Sequence, residues 1–183
     1  MSGHSHWAGI KHKKGAKDAK RGVLFSKLLA AVSIAAKPEP NPQFNPRLRT
    51  AIDTAREANV PNDNIERAIK KAAEKNASLE ELLMEAYGPG GAPLLIEAIT
   101  DSRNRTISEV KSILGDLGAK WAEPGSVRWA FSPAEQNTRD TARWVSNFNQ
   151  PISPANKEKL VAIIEALEDR ADVQGVYTNV VLE

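Results

Sequence analysis

The apolar pattern of this chain changes period once, near residue 78, and that change limits the possible folds more than any other feature. Before it, apolar residues recur at helical spacing in three blocks: Phe25, Leu28, Leu29, Val32 and Ala36 within residues 23–37, then Leu48, Ile52 and Ala55, then Ile65, Ala68, Ile69 and Ala72. After it come PLLIEAIT (93–100) and GSVRWAFS (125–132), short apolar runs bounded by glycine or proline, as strands are. A chain patterned in this way builds a helical unit and then a layer of sheet and helices, the α+β class. The expected architecture is an N-terminal three-helix bundle followed by a two-layer α+β sheet domain.

Local signals set the element ends. Pro38, Pro40, Pro42 and Pro46 stop the first helix. Asn45 before Pro46 reads as an N-cap with proline at the first helical position, opening a helix to about Asn59. Asp63 and Glu66 resemble a capping box for a third helix, which runs to about Lys75. Thr106 and Glu109 form another for a helix ending near Gly118. In 79–87 the second half is expected to be a strand, forming a hairpin with 93–100 through the Gly88-Pro89-Gly90-Gly91 turn. In 125–132, Val127, Trp129 and Phe131 are expected to share one strand face; Trp129 and Phe131 there resemble the aromatics of sheets that stack RNA bases, but aromatics at period 2 more often serve the core, and that is the reading expected. The stretch 133–151 shows no period and is expected to be loop or partial helix. Ser153-Pro154 opens a last helix, and VQGVYTNVV closes the chain as a strand.

Charge is distributed unevenly. Up to Lys27 there are seven bases (Lys11, Lys13, Lys14, Lys17, Lys20, Arg21 and Lys27) and one acid, Asp18, a net +6, whereas the rest carries 18 bases against 22 acids. Such a chain has a polyanion-seeking arm on an otherwise ordinary body. At 183 residues it fits one domain or two small ones. Cysteine is absent, so disulfides and thiolate-ligated zinc are excluded. No apolar run approaches the roughly 20 residues that span a bilayer, and the N-terminus has neither a secretory h-region nor transit-peptide composition. A cytoplasmic protein with no membrane partner is expected.

The arm is the strongest chemical signal. If residues 13–21 are helical, Lys13, Lys17 and Lys20, or Lys14, Lys17 and Arg21, line one face at steps of about 5–6 Å and can follow successive phosphates. Lys11 adds charge, Trp7 can stack on a base or sugar, and Gly3, Gly9, Gly15 and Gly22 favour an arm that orders on its partner. The competing reading is a solvated terminus. All three histidines, His4, His6 and His12, lie here and read as phosphate donors. With Met1 removed, Ser2-Gly3-His4 can wrap copper or nickel, yet no cysteine, acid or fourth histidine completes a structural site, so no metal or other cofactor is expected.

Arg103 and Arg105 lie between a strand and a helix start, where they either meet an anion or pair with Asp101 to shape the turn. For catalysis little is present: no histidine follows His12, and there is no G-x-S-x-G elbow. Glu85, Glu97 and Asp101 are the carboxylates that the sheet could bring together, but their spacing does not demand it. No enzyme is expected.

The segments GHSHWAGIKHKKGAKDAKRGVLFSKL, NPRLRTAIDTAREANVPNDNIERAIKK, YGPGGAPLLIEAITDSRNRT and GSVRWAF, with LEDRADVQGVYTN near the end, resemble the signature stretches of the YebC/PmpR family. The resemblance implies an N-terminal helical domain followed by α+β domains and no catalytic activity. Members are mostly described as probable transcriptional regulators that bind DNA. Others are similar to a mitochondrial translational activator, and the family has been viewed as ribosome-associated. It also implies that a further inserted domain is shortened here, at about 133–153. The division expected is therefore 1–77, arm and bundle, and 78–183, α+β domain. The function expected is a monomeric, non-catalytic regulator of gene expression of YebC type that binds DNA. The alternative is a translation factor gripping ribosomal or transfer RNA on the ribosome. The contacts expected are His4, His6, Trp7, Lys11, His12, Lys13, Lys14, Lys17, Lys20, Arg21, Arg103 and Arg105.

Overall fold

The structure is a computed structural model and describes residues 18–74, 78–134 and 143–182. Helix α1 spans Asp18–Ala36, α2 Pro46–Glu57 and α3 Asn62–Ala72. Their apolar stripes meet in one core that includes Leu28, Val32, Leu48, Ile52, Val60 and Ile65. The cap expected at Asn45 is present, its side chain accepting the Leu48 N–H at 3.0 Å. The same carboxamide donates to the carbonyls of Ala35 and Glu39, each at 2.7 Å, so one buried residue ends α1, holds the proline loop and starts α2. Asn59, at φ 62°, takes the left-handed conformation that stops α2. The capping box expected at Asp63 and Glu66 does not form. Helix α3 starts at Asn62, which leaves Asp63 inside the first turn and Pro61, with no side-chain acceptor, at the cap.

Strands β1 (Glu80–Tyr87) and β2 (Pro93–Thr100) form an antiparallel hairpin in register from Glu80 opposite Thr100 to Tyr87 opposite Pro93. The strand occupies the whole of 80–87 and not just its second half. Gly90 and Gly91, at φ 71° and 73°, make the turn, and a Cβ on Gly90 would stand 3.0 Å from Ile152 and Asn156 side-chain atoms. Strand β3 (Lys120–Ala122) adds to β1 and β6 (Val173–Thr178) to β2, giving the order β3-β1-β2-β6. Helices α4 (Arg103–Asp116) and α5 (Pro154–Glu168) cover one face, where Leu82, Met84, Leu94 and Ile96 meet Val110, Leu114, Leu160 and Ile163. The cap at Ser153 is present, accepting the Asn156 N–H.

The opposite face departs from expectation. Residues 125–132 are not one strand: a turn leads into a single 3-10 turn at Arg128–Ala130 and then the short strand β4 (Phe131–Pro133). The cause is Glu85, whose buried carboxylate accepts the N–H groups of Gly125 (2.6 Å), Val127 (2.7 Å) and Arg128 (3.0 Å), curling the segment around itself. Phe131 packs inward on Leu95 and Tyr177, but Trp129 faces solvent, so the two do not share a core face. Strand β4 pairs with β5 (Trp144–Ser146), which lies in the stretch expected to be loop or partial helix.

The capping box expected at Thr106 and Glu109 also fails. Helix α4 begins one turn earlier, and the buried Thr106 hydroxyl donates to Asp172 (2.6 Å) and shares a hydrogen bond with the Thr100 hydroxyl (2.9 Å). The bundle is tied to the sheet domain by polar contacts. Lys27 Nζ donates to the Glu168 carbonyl, Lys37 Nζ to the Leu79 carbonyl (2.7 Å), and Arg47 pairs with Glu81.

Candidate nucleic-acid interface

Helix α1 starts before the apolar stripe does, so Lys20 and Arg21 stand on its first turns, both exposed. Arg21 lies over the Phe25 ring, 5.3 Å from its centroid, which orients the guanidinium without neutralising it. Lys20 is 4.0 Å from Asp169, and both side chains are well solvated, so the pair is weak. His4, His6, Trp7, Lys11, His12, Lys13, Lys14 and Lys17 lie outside the described residues. Lys27, counted in the arm's charge, is not available to a polyanion: it is buried and committed to the Glu168 carbonyl.

Arg103 and Arg105 occupy the first turn of α4. Arg105 pairs with Asp101 at 2.6 Å and Arg103 with Glu80 at 3.5 Å, and all four side chains are substantially exposed. The turn after α5 brings this helix end toward the root of the arm. Asp169 faces Lys20, Arg170 reaches Glu109 and Asp172, and Asp172 takes the Thr106 hydroxyl, one residue from Arg105. Burial pushes the Asp172 carboxyl up, but hydrogen bonds from Arg170 and Thr106 outweigh it and hold the group below the usual range. At the α1–α5 contact, burial depresses the Lys27 pKa, and it raises Glu168 to about 7 against the attraction of Lys27.

The sheet-face carboxylates do not converge as a catalytic set. Glu85 is consumed by three backbone N–H groups. Glu97 accepts from Trp144 Nε1 (2.8 Å) and the Tyr177 hydroxyl (3.1 Å). Asp101 holds Arg105, and Glu81 is bridged by Arg47 and Arg143. Among the described residues no cluster of three histidine, cysteine or acidic side chains suits a metal. No helix among them is long and apolar enough to cross a membrane.

One feature of this face had no separate signal in the sequence. Trp129 (65% exposed) stacks on Phe148 (42% exposed), with ring centroids 5.6 Å apart and planes at 21°. Trp129 Nε1 (2.8 Å) and the Tyr87 hydroxyl (2.9 Å) both donate to the Ser126 carbonyl. Asn147 fixes the group from just beyond β5, its side chain donating to the Trp129 carbonyl (3.0 Å) and its N–H to the Ala130 carbonyl (2.9 Å). The period-2 spacing of Trp129 and Phe131 suits either the core or a base-stacking face, and the structure divides the pair, with Phe131 buried and Trp129 exposed.

Comparison with known proteins places this architecture. The model of the TACO1/YebC protein N-terminal domain matches residues 5–75, and that of the TACO1/YebC second and third domain matches residues 79–136. A probable transcriptional regulatory protein of Trichlorobacter lovleyi is 46% identical over 171 residues, which cover 92% of this chain and 69% of that protein. Another, of Geobacter sulfurreducens, is 50% identical over 235 aligned positions, covering 98% of this chain and 95% of that protein. As 98% of 183 residues is about 179, that alignment contains about 56 positions absent from this chain. With several other relatives the match spans only about half of the relative's length. Among solved structures, a conserved hypothetical protein from Aquifex aeolicus superposes with a TM-score of 0.85 at 34% identity, covering 97% of both chains. With both family models met in order and the fold shared with a solved relative, the chain belongs to the TACO1/YebC family.

Proposed function

We propose that this protein is a non-catalytic, nucleic-acid-binding regulator of gene expression that acts as a cytoplasmic monomer and grips its target through the basic arm. The observation that carries this reading is the charge division: six bases, Lys11, Lys13, Lys14, Lys17, Lys20 and Arg21, against one acid before Lys27, on a remainder with more acids than bases. Like charges crowded in one segment are costly unless they stay solvated or meet a polyanion. The names of the relatives, probable transcriptional regulatory proteins, put duplex DNA first as the target. His4, His6, Trp7, Lys11, His12, Lys13, Lys14, Lys17, Lys20 and Arg21 supply the grip, and Arg103 and Arg105 extend it if a phosphate replaces their acidic partners. Such contacts fix position on a backbone and carry no sequence information by themselves.

A second reading, a translation factor on ribosomal or transfer RNA, is favoured by the exposed Trp129–Phe148 stack, since unpaired bases are recognised by stacking on aromatic rings. Gel shifts on duplex DNA beside sedimentation with ribosomes, each at rising salt, test both. With about five phosphates neutralised on duplex DNA, log K is expected to fall with log salt at a slope of about −4 to −5. A flat response removes the electrostatic grip, and binding to ribosomes but not to duplex selects the second reading.

A further inference from the structure

We propose that Trp129, Phe148 and Tyr87 form a base-stacking platform for single-stranded nucleic acid, on the sheet face opposite α4 and α5 and apart from the arm. The proposal rests on the nucleic-acid reading above and adds a second contact of different chemistry.

The rings are placed by backbone devices and not by core packing. Glu85 curls residues 125–128, Asn147 pins the Trp129 carbonyl, and the polar edges of Trp129 and Tyr87 both point at the Ser126 carbonyl. Their hydrogen-bonding groups are thus satisfied inside the fold, which leaves apolar ring surface facing water. Phe148 covers one face of Trp129, and an exposure of 65% leaves the other open. Packing is supplied by Phe131, two residues along and buried. A rigid, exposed stack with its donors already used has no need of a hydrogen-bonding partner, and a nucleobase presents such a π-face whatever its identity.

The flanking charge selects the same occupant. Arg128 is exposed, lies over the Trp144 ring at 5.2 Å, and among the described residues has no carboxylate partner. Lys120, exposed and opposite Tyr87 in the β1–β3 register, lies on the same face. Glu123, in the intervening turn, is the exposed acid nearby in sequence. Cations beside stacking rings suit a strand whose bases lie on the rings and whose phosphates run past the cations. A duplex keeps its bases stacked on one another and cannot use the rings.

The test is fluorescence anisotropy of the full chain with a labelled unstructured oligonucleotide of about 12 nucleotides, offered as RNA and as DNA, and with the matching duplex. Trp129→Ala and Phe148→Ala are each expected to weaken single-strand binding about 5- to 150-fold, as loss of one stacking aromatic does, and to change duplex binding less than about 2-fold. Trp129→Tyr should restore most of the loss, whereas Trp129→Leu, apolar but without a π-face, should not. The oligonucleotide form that loses more identifies the natural target as RNA or DNA. Unchanged single-strand affinity in both alanine variants, with binding through the arm intact, overturns the platform and leaves a protein partner as the use of the patch. Equal losses on single strand and duplex also overturn it. A parent protein that binds neither form overturns the nucleic-acid reading itself.

Discussion

Asn45 joins three segments through one carboxamide: it accepts from the first turn of α2 and donates to Ala35 at the end of α1 and to Glu39 in the proline loop. Removing it deletes an N-cap and leaves buried carbonyls without donors, so Asn45→Ala should cost about 2–4 kcal/mol in chemical denaturation. Asn45→Ser, which keeps the cap acceptor but is too short for both carbonyls, should lose less. Glu168 is the corresponding residue for pH. Its folded-state pKa, about 7, lies above the ordinary glutamate value of 4.5 because burial disfavours the carboxylate. The folded chain then holds a proton that the unfolded chain releases, so this group's contribution is complete below about pH 4.5 and is lost as pH rises through about 7. Lys27, with a depressed pKa, acts in the opposite sense at higher pH, which makes a comparison of variants the proper test. Glu168→Gln should flatten the decline in melting temperature between about pH 5 and pH 7.5; an unchanged profile would show that the group is not buried in the folded protein.

Among the elements, those with local causes were legible in the sequence. The caps at Asn45 and Ser153, the glycine turn of the β1–β2 hairpin and the stripes of α1–α3 depend on residues within a few positions of one another, and all appear as read. The elements missed depend on partners far away. Strand β3 is three residues long and exists by pairing with β1, more than 30 residues earlier, and β5 exists by pairing with β4, so neither is long enough to show a period. Thr106 looked like a cap because its nearest carboxylate in sequence is Glu109, yet Asp172 takes its hydroxyl and Arg170 takes Glu109. Of the proposed interface, the basic arm rests on composition, and most of it lies outside the described residues. The Trp129–Phe148 pair was not legible in the sequence, because its outward placement is set by Glu85, 44 positions before Trp129.

At the scale of the molecule, two kinds of charge work separately. Lys27, Lys37 and Arg47 are spent holding the bundle to the sheet domain, while Lys20 and Arg21, the arm's bases among the described residues, are exposed, one weakly paired with Asp169 and the other over the Phe25 ring. On the proposed function, the arm serves a partner and the apolar stripes serve the fold. The most direct measurement compares two variants by melting temperature and by binding to duplex DNA and ribosomes at physiological salt. Changing Lys13, Lys14, Lys17 and Arg21 together to Ala should leave the melting temperature nearly unchanged and weaken binding severely. Leu28→Ala, at a buried position of the bundle core, should cost about 2–5 kcal/mol of stability while the folded fraction still binds. A quadruple variant that unfolds, or that folds and binds as tightly as the parent, contradicts the claim and moves the binding surface to Arg103, Arg105 and Arg128.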